Sequence, residues 1–544
     1  MGYLTDLLQH LAKRKAAISE LPVPWDPERI SVYDFLQRHL TKSIDAQPFK
    51  DVDLPDEEHL YAGEPVRWAP GARDGVFGHH MAPTEDDGAG ELVNCLKRVS
   101  VTPTVQNVEA LYAQMMGQYA LAAADQLSHL LVNDRAINPG RLSELAERIV
   151  RESPDREPVK LAIVLLGMFS DATRKDLIFT FGHHDEFTVY ALVALGRIVP
   201  DNEREAIWWA LAKKVSGWGR IHIVERLADT TNPEIKAWLL REGYRNTIMN
   251  EYLAFACAKN GNLVAALRKG PIDDALLRGA GDILEALAYG SGPAEGMEDY
   301  GEGMEACRLY VKHVSEMPSV DIEHCVSLHS IKRFADDKDR DWTAATLKGW
   351  TVAAREDISV AIDRIIGRPD WYAKVEQGLS DEDDKHFEAA AIAANLFGID
   401  PWPYRFERQR LGKSDNWYAL MVTNDPVRVD HVLDLALTQF DLAALASGPA
   451  LDMVRLPEFR RHGELDFILQ GLSGFPGKGW AFINAGLQSP VVSNRWNALR
   501  ALSAWGRPQW PDDCEFTLFR AQSREPDEDI KKNMKRVLDG RPLD

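Results

Sequence analysis

Residues 172–269 read as an almost unbroken run of short amphipathic helices, and this pattern constrains the fold more than any other feature. Helix-start signals recur in front of Asp171, Asp185, Asp201, Gly217, Asn232, Asn246 and Asn260. A helix therefore returns at roughly every 15 residues and a helical pair at roughly every 30, which is the period of stacked-helix repeats. The run predicts a solenoid, a fold that usually presents a surface for holding another molecule.

Helical periodicity extends over nearly all of the chain. One face of a single segment carries Phe187, Tyr190, Ala191, Ala194, Leu195 and Ile198 at the spacing of a 3.6-residue period. Near the C-terminus Val492, Trp496, Leu499 and Leu502 repeat the pattern. No comparable stretch alternates with a period of two, so the sequence predicts an all-α fold, an α-solenoid of helical pairs.

Three breaks in the periodicity predict the domain organisation. Residues 45–90 contain five prolines and six glycines, together with the aromatic residues Tyr61, Trp68 and Phe77. We expect a long irregular N-terminal loop here, pinned onto the helices by its aromatic side chains. With the further breaks at 290–303 and 398–403, the predicted parts are an N-terminal cap (1–100), a central array (101–290) and a C-terminal helical region (291–544) that continues the superhelix.

Composition narrows the class of protein. The chain has 63 basic and 83 acidic residues, a net charge of −20, which is opposite to the basic surface that nucleic-acid binding and anionic membranes require. Five scattered cysteines fit a reducing compartment. The first residues lack the continuous apolar stretch of a secretory signal, and no apolar run is long enough to span a bilayer. We expect a soluble, acidic, cytoplasmic protein.

The motifs of common catalytic and cofactor sites are missing from the sequence. The glycine-rich loops at 217–222, 290–296 and 477–482 do not have the spacing of dinucleotide- or phosphate-binding loops. The adjacent pairs His79–His80 and His183–His184 diverge by about 100° on a helix, so neither pair is expected to share a metal ion. No catalytic residue is identified, and we expect neither a metal nor another cofactor.

The densest polar constellation lies in residues 217–256. The candidate binding residues are Trp218, Arg220, His222, Glu225, Arg226, Arg245, Asn250 and Glu251. If successive helices stack in register, these side chains form a polar recognition patch on one concave wall. The alternative interpretation is that they form hydrogen bonds between neighbouring repeats.

Two segments carry a resemblance to known proteins. The sequence GWGRIHIVERLADTTNPEIKAWLLREGYRNTIMNEYLAFACA, with the earlier RWAPGARDGVFGHH, resembles a family of uncharacterised bacterial helical proteins, some of which are labelled limonene hydroxylase. The resemblance is strongest over about 200–260. That label implies a monooxygenase that acts on a small apolar terpene. Helical pairs such as SNRWNALRALSAWGRP resemble HEAT repeats, which implies a scaffold for proteins or, less often, nucleic acids.

The sequence favours one function and leaves two others open. The favoured function is a non-catalytic HEAT-like scaffold that binds a protein or peptide on its concave face. The first alternative is an enzyme, possibly the monooxygenase that the resemblance implies. The second is a nucleic-acid-binding HEAT protein, for which the local basic residues are Arg220, Arg226, Arg241, Arg245, Lys259 and Arg268.

Overall fold

The computed structural model describes residues 21–40, 52–61, 67–80, 89–132, 137–169, 171–290, 294–413, 416–451 and 459–543. These residues form 31 α-helices and no β-strand, so the predicted all-α class is confirmed for the described part of the chain. None of these helices combines the length and the apolar composition needed to cross a membrane. The first 20 residues lie outside the described residues.

The helices are numbered in chain order. The first sixteen are α1 (Val32–Leu40), α2 (Glu57–Leu60), α3 (Ala72–His80), α4 (Ala89–Val101), α5 (Val105–Met116), α6 (Ala120–Val132), α7 (Pro139–Glu152), α8 (Arg156–Gly167), α9 (Lys175–Phe181), α10 (Asp185–Ile198), α11 (Asp201–Ala212), α12 (Trp218–Glu225), α13 (Pro233–Trp238), α14 (Glu251–Asn260), α15 (Leu263–Arg268) and α16 (Asp274–Tyr289). The others are α17 (Gly303–Glu316), α18 (Ile322–Ala335), α19 (Thr343–Leu347), α20 (Val352–Ile366), α21 (Trp371–Leu379), α22 (Asp384–Leu396), α23 (Trp402–Arg410), α24 (Trp417–Met421), α25 (Pro426–Gln439), α26 (Leu442–Leu445), α27 (Arg460–Gly471), α28 (Trp480–Leu487), α29 (Val492–Trp505), α30 (Cys514–Arg524) and α31 (Glu528–Leu538).

The chain divides into two compact units. The first contains the described residues up to Leu60, Ala69–Val320 and His324–Gly367, and the second contains Tyr61–Trp68, Asp321–Glu323 and the described residues from Arg368 onwards. The predicted boundaries at 100 and 290 both fall inside the first unit.

From α4 to α16 of the first unit, every second helix packs against the next such helix. This even-helix series consists of α4, α6, α8, α10, α12, α14 and α16. In the second unit α27 packs against α29 and α29 against α31 in the same way. All twelve residues of α8, which packs between α6 and α10, are buried. Its apolar stretch Leu161–Leu166 explains this position, because a helix that is apolar on all sides must be covered on all sides.

Most predicted helix starts are close to the observed ones. Asp171 and Asn232 cap helical turns with their side chains, α10 and α11 begin at Asp185 and Asp201, and Gly217 precedes α12. The start predicted at Asn246 is wrong. Its side chain accepts from the backbone N–H groups of Ile248 and Met249 and closes a turn, and α14 begins only at Glu251.

The irregular N-terminal loop is also partly wrong, because α2 and α3 form within it. The α3 segment, ARDGVFGHH, contains two glycines and has little amphipathic character. A search for helical periodicity in the sequence therefore does not detect this helix. Tertiary contacts compensate for this weak propensity. The ring of Phe77 packs edge-on against Tyr119, 5.7 Å between centroids, as expected for a pinned segment.

Candidate functional site

A buried ion network joins α2 and α3 to the even-helix series. Arg156 and Lys160, one turn apart on α8, are both about 1% exposed. The carboxylates around them belong to Asp56, Glu57, Asp74, Glu157 and Glu186. Five acids therefore surround two bases in a region that water does not reach.

Glu186 is the central carboxylate of this network. One of its oxygens lies 2.6 Å from Lys160 Nζ and 3.8 Å from Arg156, and the other accepts the backbone N–H of Gly71 at 2.8 Å. Burial disfavours its charge, but Lys160 and then Arg156 outweigh burial and lower its pKa to about 2. A carboxylate at a helix start complements the helix dipole. Glu186 lies in the first turn of α10, and it also holds the loop before α3 in place.

Asp74 is the α3 residue that belongs to the network. Burial raises its pKa to about 6, against the opposing effect of Lys160, whose Nζ lies 3.4 Å away. Glu186 and Glu157 raise it further, because the acids outnumber the bases. The Tyr190 hydroxyl donates to Asp74 at 3.0 Å. Asp74 thus fixes α3 against both α8 and α10.

The same region positions α12. Asp185 accepts the backbone N–H of Gly219 at 3.1 Å and so caps the first turn of α12. Helix α3 then crosses the side chain of Trp218 at close range, since a Cβ built on Gly75 would lie 2.0 Å from the indole ring. Only glycine allows this approach, and it brings the end of α3 to α12.

At this crossing four rings form an aromatic cluster: His79, Trp218, His222 and Tyr252. The ring of His79 lies nearly parallel to that of His222, with centroids 5.5 Å apart and planes 18° apart. Its centroid is also 5.5 Å from Trp218 and 5.6 Å from Tyr252. The cluster therefore joins α3, α12 and α14.

Glu225 completes a set of possible metal ligands at the cluster. One ring nitrogen of His79, one of His222 and one carboxylate oxygen of Glu225 all lie within 4.8 Å of one another. The Nε2 of His222 is buried and has no hydrogen-bond partner. Burial, followed by the charges of His79 and Arg226, lowers the pKa of His222 to about 3, so the imidazole is neutral. Burial also raises the pKa of Glu225.

Three residues of the predicted recognition patch are largely buried. Trp218, Arg220 and His222 are less than a tenth exposed. Arg220 donates to the carbonyls of Ala212, Val215 and Arg245, which is the alternative role in which a polar side chain ties helices together. Arg226 donates to the His222 carbonyl. Whether these residues also take part in binding stays a prediction.

The other patch residues lie beside α16. Arg245 donates to the Tyr244 hydroxyl at 2.9 Å and pairs with Asp282 at 3.2 Å. Asn250 accepts the backbone N–H of Asn246 and precedes α14, which begins at Glu251. Arg245 also connects this region to α12, because its carbonyl accepts a hydrogen bond from Arg220.

After its first two residues, helix α16 exposes side chains to solvent along one line only. Arg278, Asp282, Glu285 and Tyr289 follow at helical spacing between fully buried positions. We call these four residues, with Glu251 of α14, the acidic strip. Burial raises the pKa of Glu285 to about 7; Ser327, which donates a hydrogen bond at 2.9 Å, opposes the shift, and Asp282 and Glu251 add to it.

Sequence reasoning did not find His79 or the ion network. The sequence argument considered His79 only as a metal-ligand pair with His80. In the structure the neighbours of His79 are Trp218 and His222 of α12 and Tyr252 of α14. A signal for the network was available, because the charged residues Arg156, Glu157 and Lys160 directly precede an apolar run. Charges next to such a run must be paired when the helix is buried.

Comparisons with known proteins add little. No protein-family model matches the chain, and a search of curated proteins returns no match. Among solved structures, a crystal structure of an engineered protein aligns with 84% of this chain and 99% of its own, at 16% identity and a TM-score of 0.24. A similarity of this size supports no conclusion about fold or function.

Proposed function

We propose that the protein is a non-catalytic helical scaffold that binds a protein or peptide, and that the acidic strip is its binding surface. The observation that carries the proposal is the pair Glu251 and Glu285 on adjacent helices of the even-helix series. Glu285 has a raised pKa and accepts its hydrogen bond from a neutral hydroxyl, that of Ser327. A cation from a partner would stabilise the ionised form of this acid, which burial otherwise disfavours.

The arginines beside the strip are engaged within the protein, so they repel a basic partner less than unpaired cations would. Arg245 is engaged with Asp282 and Tyr244, and the guanidinium of Arg333 lies over the ring of Tyr289, 4.6 Å from its centroid. Tyr289 is itself 52% exposed and offers an aromatic contact of the type that anchors protein interfaces. The net charge of −20 would also speed the approach of a positively charged segment.

The layered packing is the second support. A series in which each helix packs against the next of its layer resembles the arrangement of repeat scaffolds, whose extended surfaces hold partners. The strip carries three acids against one base, Arg278, and this net negative charge disfavours nucleic acid as the partner.

Binding of a fluorescent oligolysine peptide, followed by anisotropy, tests the charge requirement. We expect binding that weakens with salt and is lost in the double variant E251Q/E285Q. The double variant E356Q/D357N is the matched control at about pH 8, where Glu285 is ionised, because it then removes nearly the same charge from exposed positions of α20. Equal losses in both variants would show that net charge alone attracts the peptide, and the strip would not be the site.

A photo-cross-linking residue at position 289 tests for a cellular partner. We expect a protein that cross-links at this position in a lysate and that no longer does so in the E251Q/E285Q background. A cross-linker at Leu347, which is 90% exposed on α19, should not capture the same protein. Capture that is identical at both positions would contradict the proposal.

A further inference from the structure

We infer that His79, His222 and Glu225 form a binding site for a divalent transition-metal ion, with Zn²⁺ as the ion to test. The inference does not depend on the proposed scaffold function, because none of the three residues belongs to the acidic strip. It differs from the sequence-based expectation that no metal is bound, which rested on histidines that are adjacent in the chain.

The geometry provides three donors from two helices. His222 and Glu225 are three residues apart on α12 and therefore lie on the same side of that helix. His79 comes from the end of α3, and its Nε2 lies 3.9 Å from an oxygen of Glu225. A tetrahedral ion with bonds of about 2.0–2.2 Å holds its donors roughly 3.4 Å apart, so small side-chain rotations close the present spacing of at most 4.8 Å.

The buried state of His222 is an independent observation that points to a ligand. The residue is 9% exposed, and its Nε2 makes no hydrogen bond. A buried polar atom without a partner destabilises a protein unless something satisfies it. A metal ion satisfies it, and no other buried histidine nitrogen of the described residues is left in this condition.

The surroundings hold the donors in place before any ion arrives. Asp74 ties α3 to the buried ion network, and Asp185 caps the first turn of α12. The indole of Trp218 packs against α3 at Gly75 and against the ring of His79. Preorganisation of this kind raises metal affinity, because little conformational freedom is lost on binding.

The donor set selects the class of ion. Two imidazole nitrogens and one carboxylate oxygen suit Zn²⁺, Fe²⁺ or Co²⁺, whereas Mg²⁺ and Ca²⁺ prefer oxygen donors alone. Three protein ligands leave at least one position of the ion for water or another molecule. Glu225 is 40% exposed, so this position can be reached from solvent.

Isothermal titration of the full-length, chelator-treated protein with Zn²⁺ and with Mg²⁺ tests the inference. We expect one Zn²⁺ per chain and no Mg²⁺ at the same concentration. H79Q and E225Q alter residues that are 20% and 40% exposed, so both should fold, and each should weaken Zn²⁺ binding by about 10-fold or more. H222A should abolish binding, with circular dichroism as the check that it folds.

The variant H386A is the matched control. His386 is also flanked by two acids, Glu323 at 3.3 Å and Asp381 at 3.5 Å, but it does not belong to the three-residue set. H386A should bind Zn²⁺ like the unaltered protein and show the same visible absorption with Co²⁺. Absence of Zn²⁺ binding, or binding that survives both H79Q and E225Q, would overturn the inference.

Discussion

Lys160 Nζ lies 2.6 Å from a carboxylate oxygen of Glu186, and both side chains are buried. Lys160 comes from α8 and Glu186 from α10, so this ion pair crosses two central helices of the first unit. The same two side chains hold the α3 segment, because Glu186 accepts the backbone N–H of Gly71 and Lys160 pairs with Asp74. The stability of the fold and the position of His79 are therefore linked.

Removal of the Glu186 charge should destabilise the first unit strongly. In E186Q, Lys160 and Arg156 keep their buried charges with less compensation, and a broken buried pair costs about 3–5 kcal/mol. Urea unfolding followed by circular dichroism measures the change. R204Q, which breaks the exposed pair with Asp201, should change stability by less than about 1 kcal/mol. Similar losses in the two variants would contradict a special role for the network.

Glu285 should make the protein more sensitive to high pH than its E285Q variant is. Its pKa in the fold is about 7, above the ordinary 4.5, so the folded state favours the protonated acid. The stability associated with this group is complete below about pH 4.5 and is lost as the pH rises through 7.

Thermal unfolding of both proteins at about pH 5 and at about pH 8 measures this difference. The first pH is about half a unit above the ordinary pKa of 4.5, and the second is about one unit above the pKa of about 7 in the fold. We expect E285Q to gain on the unaltered protein between these values, by on the order of 2 kcal/mol, since one pKa unit corresponds to about 1.4 kcal/mol. A difference that does not depend on pH would show that Glu285 is not the titrating group.

Gly75 and Gly78 should respond in opposite directions to the same substitution. A Cβ at Gly75 would lie 2.0 Å from the Trp218 ring, whereas one at Gly78 meets nothing within 4 Å. G75A should therefore destabilise the protein by about 1–3 kcal/mol through overpacking. G78A should stabilise it by about 0.5–1 kcal/mol, because alanine is the better helix former.

Denaturant midpoints of the two glycine variants provide the measurement. Zn²⁺ titration of the same proteins connects them to the inferred metal site, since only G75A should displace His79 and weaken binding. Equal stability of G75A and G78A would mean that α3 does not press against Trp218.

In the second unit, Arg495 should not tolerate lysine. Arg495 and Glu525 are fully buried and joined by two parallel hydrogen bonds of 2.8 Å, and Arg495 also donates to the carbonyls of Ser489 and Pro490. Lysine cannot reproduce this planar set of donors. We expect R495K to lose about 3 kcal/mol in urea unfolding.

The exposed pair of Arg507 with Glu515 offers the comparison for this substitution. R507K should stay within about 0.5 kcal/mol of the unaltered protein, because the ammonium group can keep a solvated contact. If R495K were equally mild, the geometry of the guanidinium would not matter in the core.

The all-α class and most helix starts between 171 and 233 followed from the sequence. Periodicity, side-chain caps and helix propensity act within a few residues of one another, so a single chain carries that information. The helix α3 escaped prediction because its own sequence hardly favours a helix. Its contacts with α8, α10 and α12 stabilise it, and these lie far away in the chain.

The sequence by itself therefore determined the all-α class, most helix starts between 171 and 233 and the predominance of acidic over basic residues. Only the tertiary structure decided that His79 lies beside His222 and Glu225. It also decided that Arg220 donates its hydrogen bonds to backbone carbonyls and that seven charged side chains share one buried network. The physical reason is distance along the chain. Local interactions select a helix, but the meeting of remote side chains depends on how all of the helices pack together.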